Sequence, residues 1–428
     1  MPTQSSVLTF EDARSVVEGH ASRLAPGEIE SVELLSAARR ILAQDIAADR
    51  DIPPFSRSTR DGYAVRSADL TKLPAQLKII GEIKAGPLSD RSAQTLQEGE
   101  AYSIMTGAPV PAGADAIVMV EHTSQQGDSI EIEKSIEPGE NIVAQGAEAR
   151  REAIVLKRGT QLEEAAIALA ASVGRSRLKV FVRPSVAVLT TGDEIVEIDA
   201  KIGPGQIRNS NSYSLAVQIH DAGGEPKILP IAPDEPRRLR ELIQEGLQSD
   251  LLIMTGGVSM GRYDLVEQVL ADLHAEFFFT GAKIQPGRPV VFGRIPCGPG
   301  KLARAGISGS APRPDFSKYF FGLPGNPVST MVTFDLFAKP MVEALAGMLP
   351  RPLTFPHVRL QSEIRVKPGL RRFLPAILSG RYENAQVQIV PWQGSGDIAA
   401  RSRANCYIVV PPDRDKIPAD EWVAVMLR

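Results

Sequence analysis

Four turns in the middle of the chain combine residues suited to holding anions. They are Thr190-Thr191-Gly192-Asp193-Glu194, Thr255-Gly256-Gly257-Val258-Ser259, Lys283-Ile284-Gln285-Pro286-Gly287-Arg288-Pro289, and Gly322-Leu323-Pro324-Gly325-Asn326-Pro327-Val328-Ser329. Adjacent glycines let a backbone approach an anion closely, and a following helix start presents unpaired N–H groups. Arg grips a phosphate-like oxyanion as a fork, and Lys acts as a point charge. Taken alone, Gly256-Gly257 reads first as a tight turn, and a lone cation as a solvated surface charge. Four such segments in one stretch of chain point to a phosphate site.

Acids sit among them: Asp193, Glu194, Asp250 and Asp264. Carboxylates repel a phosphate unless Mg²⁺ lies between them. The mixture therefore reads as Mg-assisted phosphoryl or nucleotidyl chemistry. Each acid alone reads as a helix cap or a solvated charge, Asp250 most of all because it directly precedes its strand. Further upstream, Asp61-Gly62 reads by itself as a hairpin turn and Thr106-Gly107 as a strand end.

The elements that must position these turns follow from periodicity. Residues 181–348 alternate apolar strands (186–189, 227–231, 251–254, 276–279, 290–292) with helices (215–222, 236–247, 264–273, 328–345). Nearly all-apolar strands alternating with amphipathic helices mean a buried, mostly parallel sheet in a three-layer α/β domain, with ligands outside the strands' carboxyl ends. Residues 1–50 read as helical, with Thr9 capping a start at Phe10, and Thr160-Gln161-Leu162-Glu163 opens another helix. Residues 51–137 are punctuated by Pro and Gly between short segments at 76–80, 116–120 and 129–133, a β-rich domain. Residues 349–428 return to short alternating strands such as 386–390 and 406–410, a β-barrel or sandwich. The stretch 294–318 reads as a long mobile loop.

Composition bounds the function. With 428 residues, about three domains are expected. A net charge of −3 argues against a general nucleic-acid or anionic-membrane binder. Two cysteines, Cys297 and Cys406, make no disulfide framework, and five scattered histidines make no metal cluster. The N-terminus lacks the pattern of a secretory signal, and no apolar run reaches the roughly 18 residues of a membrane helix, so a cytoplasmic location is expected.

Read in order, SRSTRDGYAV, GEIKAG, MTGAPVPAGADAIVMVE, LTTGDEIV, GQIRNSNS, DLLIMTGGVSMGRYD, KIQPGRPVVFG, FGLPGNPVSTMVTF and QGSGDI resemble the molybdopterin molybdenumtransferase family, the MoeA type related to the E domains of gephyrin and plant Cnx proteins. The match covers nearly the whole chain. The resemblance implies a linking domain from 1–50 plus 138–180, an inserted β-rich domain 51–137, an α/β molybdopterin-binding domain 181–348 and a C-terminal β-barrel-like domain 349–428. It implies Mg-dependent insertion of molybdate into adenylylated molybdopterin, with release of AMP. It also implies a homodimer whose cleft joins one subunit's α/β domain to the other's inserted domain, with molybdopterin adenylyltransferase and molybdoenzyme clients as further partners.

Carried onto this chain, the resemblance gives Thr255, Gly256, Gly257, Ser259, Pro324, Asn326 and Pro327 the pterin and nucleotide phosphates, with Thr106 and Asp193 beside them. Lys283 and Arg288 supply positive charge, and Arg372 and Ser395 complete the oxyanion pocket. Asp264, with Asp250, holds Mg²⁺. Asp61, Glu194, Glu148 and Asp250 are the candidates for orienting water or moving protons. The chain departs from the family at Ala147, where a carboxylate is lost, at Asn209, where Asp is usual, and at Arg60, which adds a cation beside Asp61. Those departures keep three alternatives open: a non-catalytic molybdopterin-binding or scaffold protein, a tungstate-preferring transferase, and an unrelated Mg-dependent nucleotide enzyme.

Overall fold

The computed structural model describes residues 6–86, 95–257, 265–296 and 317–427. At its centre lies a six-stranded sheet in the order Glu225–Ile228, Ser185–Thr190, Leu251–Thr255, Ser317–Leu323, Val291–Pro296, Glu276–Phe279. The first four strands run parallel, Val291–Pro296 runs against them, and Glu276–Phe279, antiparallel to Val291–Pro296, runs with them again, so the sheet is mixed. Side chains alternate between two cores, as a strand buried on both faces requires. Val186, Val188, Leu251, Ile253 and Phe321 face one, and Ala187, Leu189, Leu252, Met254 and Phe320 face the other. Helices Asn211–Asp221 and Pro327–Thr333 cover the first face, and Pro236–Gly246 and Leu265–Asp272 the second, which completes three layers.

The strand Ser317–Leu323 is missing from the sequence-based pattern, although it pairs with Leu251–Thr255 and Val291–Pro296 in the middle of the sheet. Both ends of the 294–318 stretch read as a loop are strand, 294–296 ending Val291–Pro296 and 317–318 opening this one, and 297–316 lie outside the described residues.

The first 50 residues are less helical than expected. The helix is Phe10–Ala21, and Thr9 Oγ1 accepts from Asp12 N at 3.1 Å as foreseen. The next segments are strands, Ile29–Glu33 on Arg177–Phe181 and Ile46–Ala47 on Ile154–Leu156. The Thr160 cap does not form: the second helix is Glu164–Ser172, with Glu163 at its N-cap. Helix Phe10–Ala21 also packs away from the linking unit. Phe10, Ala13 and Val17 join the α/β core beside Phe334, Phe337 and Met341.

Its Arg14 repairs a defect there. Pro340 has no N–H to give to Leu336 four residues earlier, and the helix widens to a π turn over Phe334–Ala338. The buried Arg14 guanidinium donates Nη1 to the Leu336 carbonyl at 2.6 Å instead.

The inserted region forms a sheet of six strands, Ala116–Met119, Gly62–Val65, Glu100–Ile104, Ala75–Ile83, Ser129–Ile132 and Thr123–Gln126, with its own core. The C-terminal strands Arg371–Ser379, Gln386–Ile389, His357–Leu360, Trp422–Leu427 and Cys406–Val410 close on themselves into a five-stranded barrel, since the first also pairs with the last. The short strand Ile284–Gln285 hangs on Arg371–Arg372, so the basic turn is shared between sheet and barrel.

Candidate active site

Thr190, Thr255 and Leu323 are level in the ladder, so the turns after three parallel strands emerge side by side. After Thr190 the chain crosses to one neighbouring strand and later returns to the other. This reversal point is where open α/β sheets place ligands. A cleft of about 440 Å³ opens there, lined by Thr190–Gly192, Glu194, Asn209–Asn211, Thr255–Gly257 and Pro324–Pro327. A second hollow of about 310 Å³ adjoins it and shares Pro289, Pro324 and Asn326. Arg288, Trp392 and Ser395 line the second.

The glycines are required by space. Gly256 has φ +87°, and a Cβ there would stand 2.3 Å from Thr191 O. Gly257 has φ +59°, and its Cβ would lie 2.7 Å from Thr191 Oγ1. Thr255 Oγ1 donates to Pro324 O at 3.1 Å and accepts from Asn211 Nδ2 at 3.0 Å, tying three turns together. Asn326 does not cap its helix: its Nδ2 donates to Ser395 Oγ at 3.0 Å, and Val328 N donates to Ser395 O at 2.9 Å. Ser395 thus joins the C-terminal unit to the cleft wall.

Of the residues expected in the site, Thr255, Gly256, Gly257, Glu194, Pro324, Asn326 and Pro327 line the first cleft, and Arg288 and Ser395 the second. Ser259 and Asp264 lie outside the described residues. The others stand elsewhere. Asp250 is at the opposite, amino edge of the sheet, where its Oδ2 accepts from Ser185 N at 3.0 Å. A residue that starts a parallel strand cannot reach the cleft at that strand's far end, so Asp250 as ligand or catalyst is corrected to a structural acid. Lys283 is exposed and lines neither hollow, its backbone engaged with Leu8 and Arg371. Arg372 is buried, donates Nη2 to Lys367 O at 2.5 Å and leaves Nε without a partner; burial pushes its guanidinium pKa down. Its neighbour Leu370 lines the second hollow, but Arg372 does not.

Asp61 and Thr106 meet on the inserted sheet. Asp61 Oδ1 accepts from Thr106 N at 2.7 Å and Oγ1 at 2.8 Å, and those bonds hold its carboxyl below the usual range. Neither residue lines the cleft of its own chain. Glu148 faces Arg57 at 3.3 Å, away from both hollows. Asn209 is buried, with Oδ1 accepting from Ser212 N at 3.2 Å and Thr190 Oγ1 at 3.3 Å; its role is to brace the turn.

One acid escaped the sequence reading. Asp234, in the loop before helix Pro236–Gly246, lines the cleft. Its N–H donates to Asp193 Oδ1 at 3.0 Å, so Asp193 serves that loop and does not itself line the cleft. Desolvation, then Asp193, then Glu194, hold the Asp234 carboxyl above its ordinary range. The available signal was position: Asp234 follows a parallel strand on the carboxyl side, as the recognised turns do. Among the described residues no group of three or more His, Cys, Asp or Glu is arranged to hold a metal ion. Among the described residues Glu194 and Asp234 are the carboxylates that line the cleft.

Three family profiles match in series: "MoeA N-terminal region (domain I and II)" over 8–174, "Probable molybdopterin binding domain" over 187–344, and "MoeA C-terminal region (domain IV)" over 357–427. A molybdopterin molybdenumtransferase of Staphylococcus aureus (strain COL) is 32% identical over 407 residues, covering 93% of this chain and 90% of that one. One from Synechococcus elongatus is 32% identical over 426 residues, 98% of this chain and 99% of that one. A crystal structure of the molybdopterin biosynthesis moeA protein from Pyrococcus horikoshii OT3 superposes with TM-score 0.73 at 26% identity, covering 99% of this chain and 100% of that chain. Similarity of this extent covers nearly the whole chain, and the chain belongs to the molybdopterin molybdenumtransferase (MoeA) family, as an enzyme of molybdenum cofactor biosynthesis acting on a molybdopterin-related substrate.

Proposed function

We propose that the chain inserts molybdate into adenylylated molybdopterin and releases AMP in a Mg²⁺-dependent reaction. The observation that carries this reading is the pair of adjoining hollows with a common wall of Pro289, Pro324 and Asn326. The larger offers Gly256, Gly257 and exposed backbone N–H groups to a phosphate-bearing pterin. The smaller offers Arg288 and Ser395 to a small oxyanion. A shared wall sets the two substrates next to each other, which a joining reaction requires.

The donor set in the cleft fits Mg²⁺. Desolvation and two neighbouring acids disfavour the charge on Asp234, and a cation relieves that penalty. Mg²⁺ ordinarily takes one or two carboxylates plus substrate phosphates, so Glu194 and Asp234 suffice as protein ligands. When bound, the ion would neutralise charge building on the phosphates. Glu194 folds back over Gly192, whose φ of +138° leaves that space open, and there it is set to take a proton from the water that displaces AMP. Asn326 and Pro324 orient the substrate across the common wall.

Asp61 and Thr106 enter this reading only through a second subunit, because their own cleft does not contain them. A homodimer that lays the inserted sheet of one subunit across the cleft of the other supplies the missing acid already ionised. A cytoplasmic location and hand-over from a molybdopterin adenylyltransferase to molybdoenzyme clients belong to the same proposal. No helix among the described residues is long and apolar enough to cross a membrane.

The test is direct. Purified protein with Mg²⁺, molybdate and adenylylated molybdopterin is expected to yield one AMP per molybdenum cofactor formed. A folded protein that gives no AMP above background removes the proposal, and tungstate in place of molybdate measures metal preference.

A further inference from the structure

Two residues that line the larger cleft each carry a buried polar atom that the fold leaves unpaired. Asn211, 8% exposed, uses both hydrogens of Nδ2, one to Thr255 Oγ1 at 3.0 Å and one to Gly325 O at 2.7 Å. A carbonyl only accepts, so the atom facing Gly325 is the amide nitrogen, and the orientation of the carboxamide is settled. Its Oδ1 is buried with no hydrogen-bond partner. Thr191 flanks Thr255 on the other side, donating its N–H to Thr255 O at 3.0 Å, and its buried Oγ1 is also without a partner. Both residues line the cleft. Buried acceptors left empty are costly and uncommon, and a ligand is the natural partner where they border a hollow. A carboxamide oxygen can only accept, so it selects a hydrogen donor, and on the edge of a fused heterocyclic ring that donor is an N–H.

We infer that Asn211 Oδ1 is a specificity-determining acceptor of the cleft, reading the exocyclic amino group of a fused pyrimidine ring, with the Thr191 hydroxyl on the same ring edge. The inference rests on the function proposed above, in which the substrate carries two such rings, adenine and pterin. An amino-bearing ring gives its hydrogen to Oδ1. The matching oxo ring turns a second lone pair toward it and leaves the buried oxygen unsatisfied, a difference on the order of ten- to a hundredfold in affinity.

The full-length protein is titrated calorimetrically with AMP against inosine monophosphate, and with pterin against its oxo analogue lumazine. In one of the two pairs the amino member is expected to bind about ten- to a hundredfold more tightly, and that pair names the ring seated on Asn211. Asn211→Ala is then expected to bring the ratio close to one. Loss of the Nδ2 clamp alone would weaken both members together and leave the ratio standing. A ratio that survives Asn211→Ala overturns the inference. If that variant does not fold, the wild-type ratio decides. Equal binding of amino and oxo members in both pairs overturns the inference while leaving the cleft a substrate site. Failure of all four to bind removes the proposed function with it.

Discussion

Asp234 and Asp250 are the same residue type on the same sheet, and they stand at opposite edges. Asp250 directly precedes a strand, is half-buried, and accepts from Ser185 N. Asp234 lies beyond the carboxyl end of a strand, crowded by Asp193 and Glu194, its charge disfavoured. The difference lies in strand direction. In parallel strands the loops that follow each strand gather at the carboxyl edge, where ligands bind, so Asp234 is placed beside the cleft and Asp250, at the amino edge, is not.

That contrast is broken most severely if Asp234→Asn leaves AMP release intact. The expected loss is about a hundredfold, read from initial rates at saturating Mg²⁺. Stability should move the other way. An acid whose folded pKa is raised contributes most while protonated, and that contribution is lost as pH rises through the folded value. Above its folded pKa the ionised Asp234 is a cost, so there Asp234→Asn is expected to keep or slightly raise the thermal midpoint, and the difference should fade in acid. Wild-type activity should decline on acidification at a higher pH than an ordinary aspartate would give, and a profile controlled only by a low-pKa carboxylate would count against this role.

Next in size is Gly256→Ala. A left-handed φ and a Cβ 2.3 Å from Thr191 O predict a cost of about 2–4 kcal/mol in denaturant unfolding and loss of nucleotide binding together. Arg14→Met leaves the Leu336 carbonyl unpaired at the π turn, for an expected cost of about 2 kcal/mol without an effect on KM. Asp250→Ala sharpens the comparison from the other edge: about 1 kcal/mol of stability is lost, while the turnover of the folded protein is unchanged. A fall in turnover with stability kept would reverse the assignment of the two edges. The smallest effect is chemical. Burial pushes the Cys406 thiol up to about 11, so peptide mapping after alkylation at pH 8 should find it unmodified until the chain unfolds.

The three-layer sheet was legible because its strands are almost wholly apolar and its turns carry Gly, Pro and Asp at strand ends. The strand Ser317–Leu323 was hidden because it follows a Gly/Pro/Ser-rich stretch, and local composition outweighed the apolar run Tyr319–Phe321. Asp250 misled because adjacency in sequence to Leu251–Thr255 says nothing about which end of the strand faces the ligand. Asp234 was overlooked because its loop bears no glycine, and its significance arises from Asp193 and Glu194, 41 and 40 positions earlier in the chain. The distance of Asp61 and Thr106 from their own cleft is a tertiary fact that no local pattern encodes.

The bonds from Asn326 and Val328 to Ser395 have a practical corollary. A chain cut after residue 348 would strip Phe373, Tyr407, Val409 and Met426 from the core they share with the central sheet, and the proline-flanked turn at 324–327 would lose its brace to Ser395. The last eighty residues therefore act as a jig for the reaction chamber, and grafting them from a relative should retune how the oxyanion is gripped without touching a single residue of the sheet.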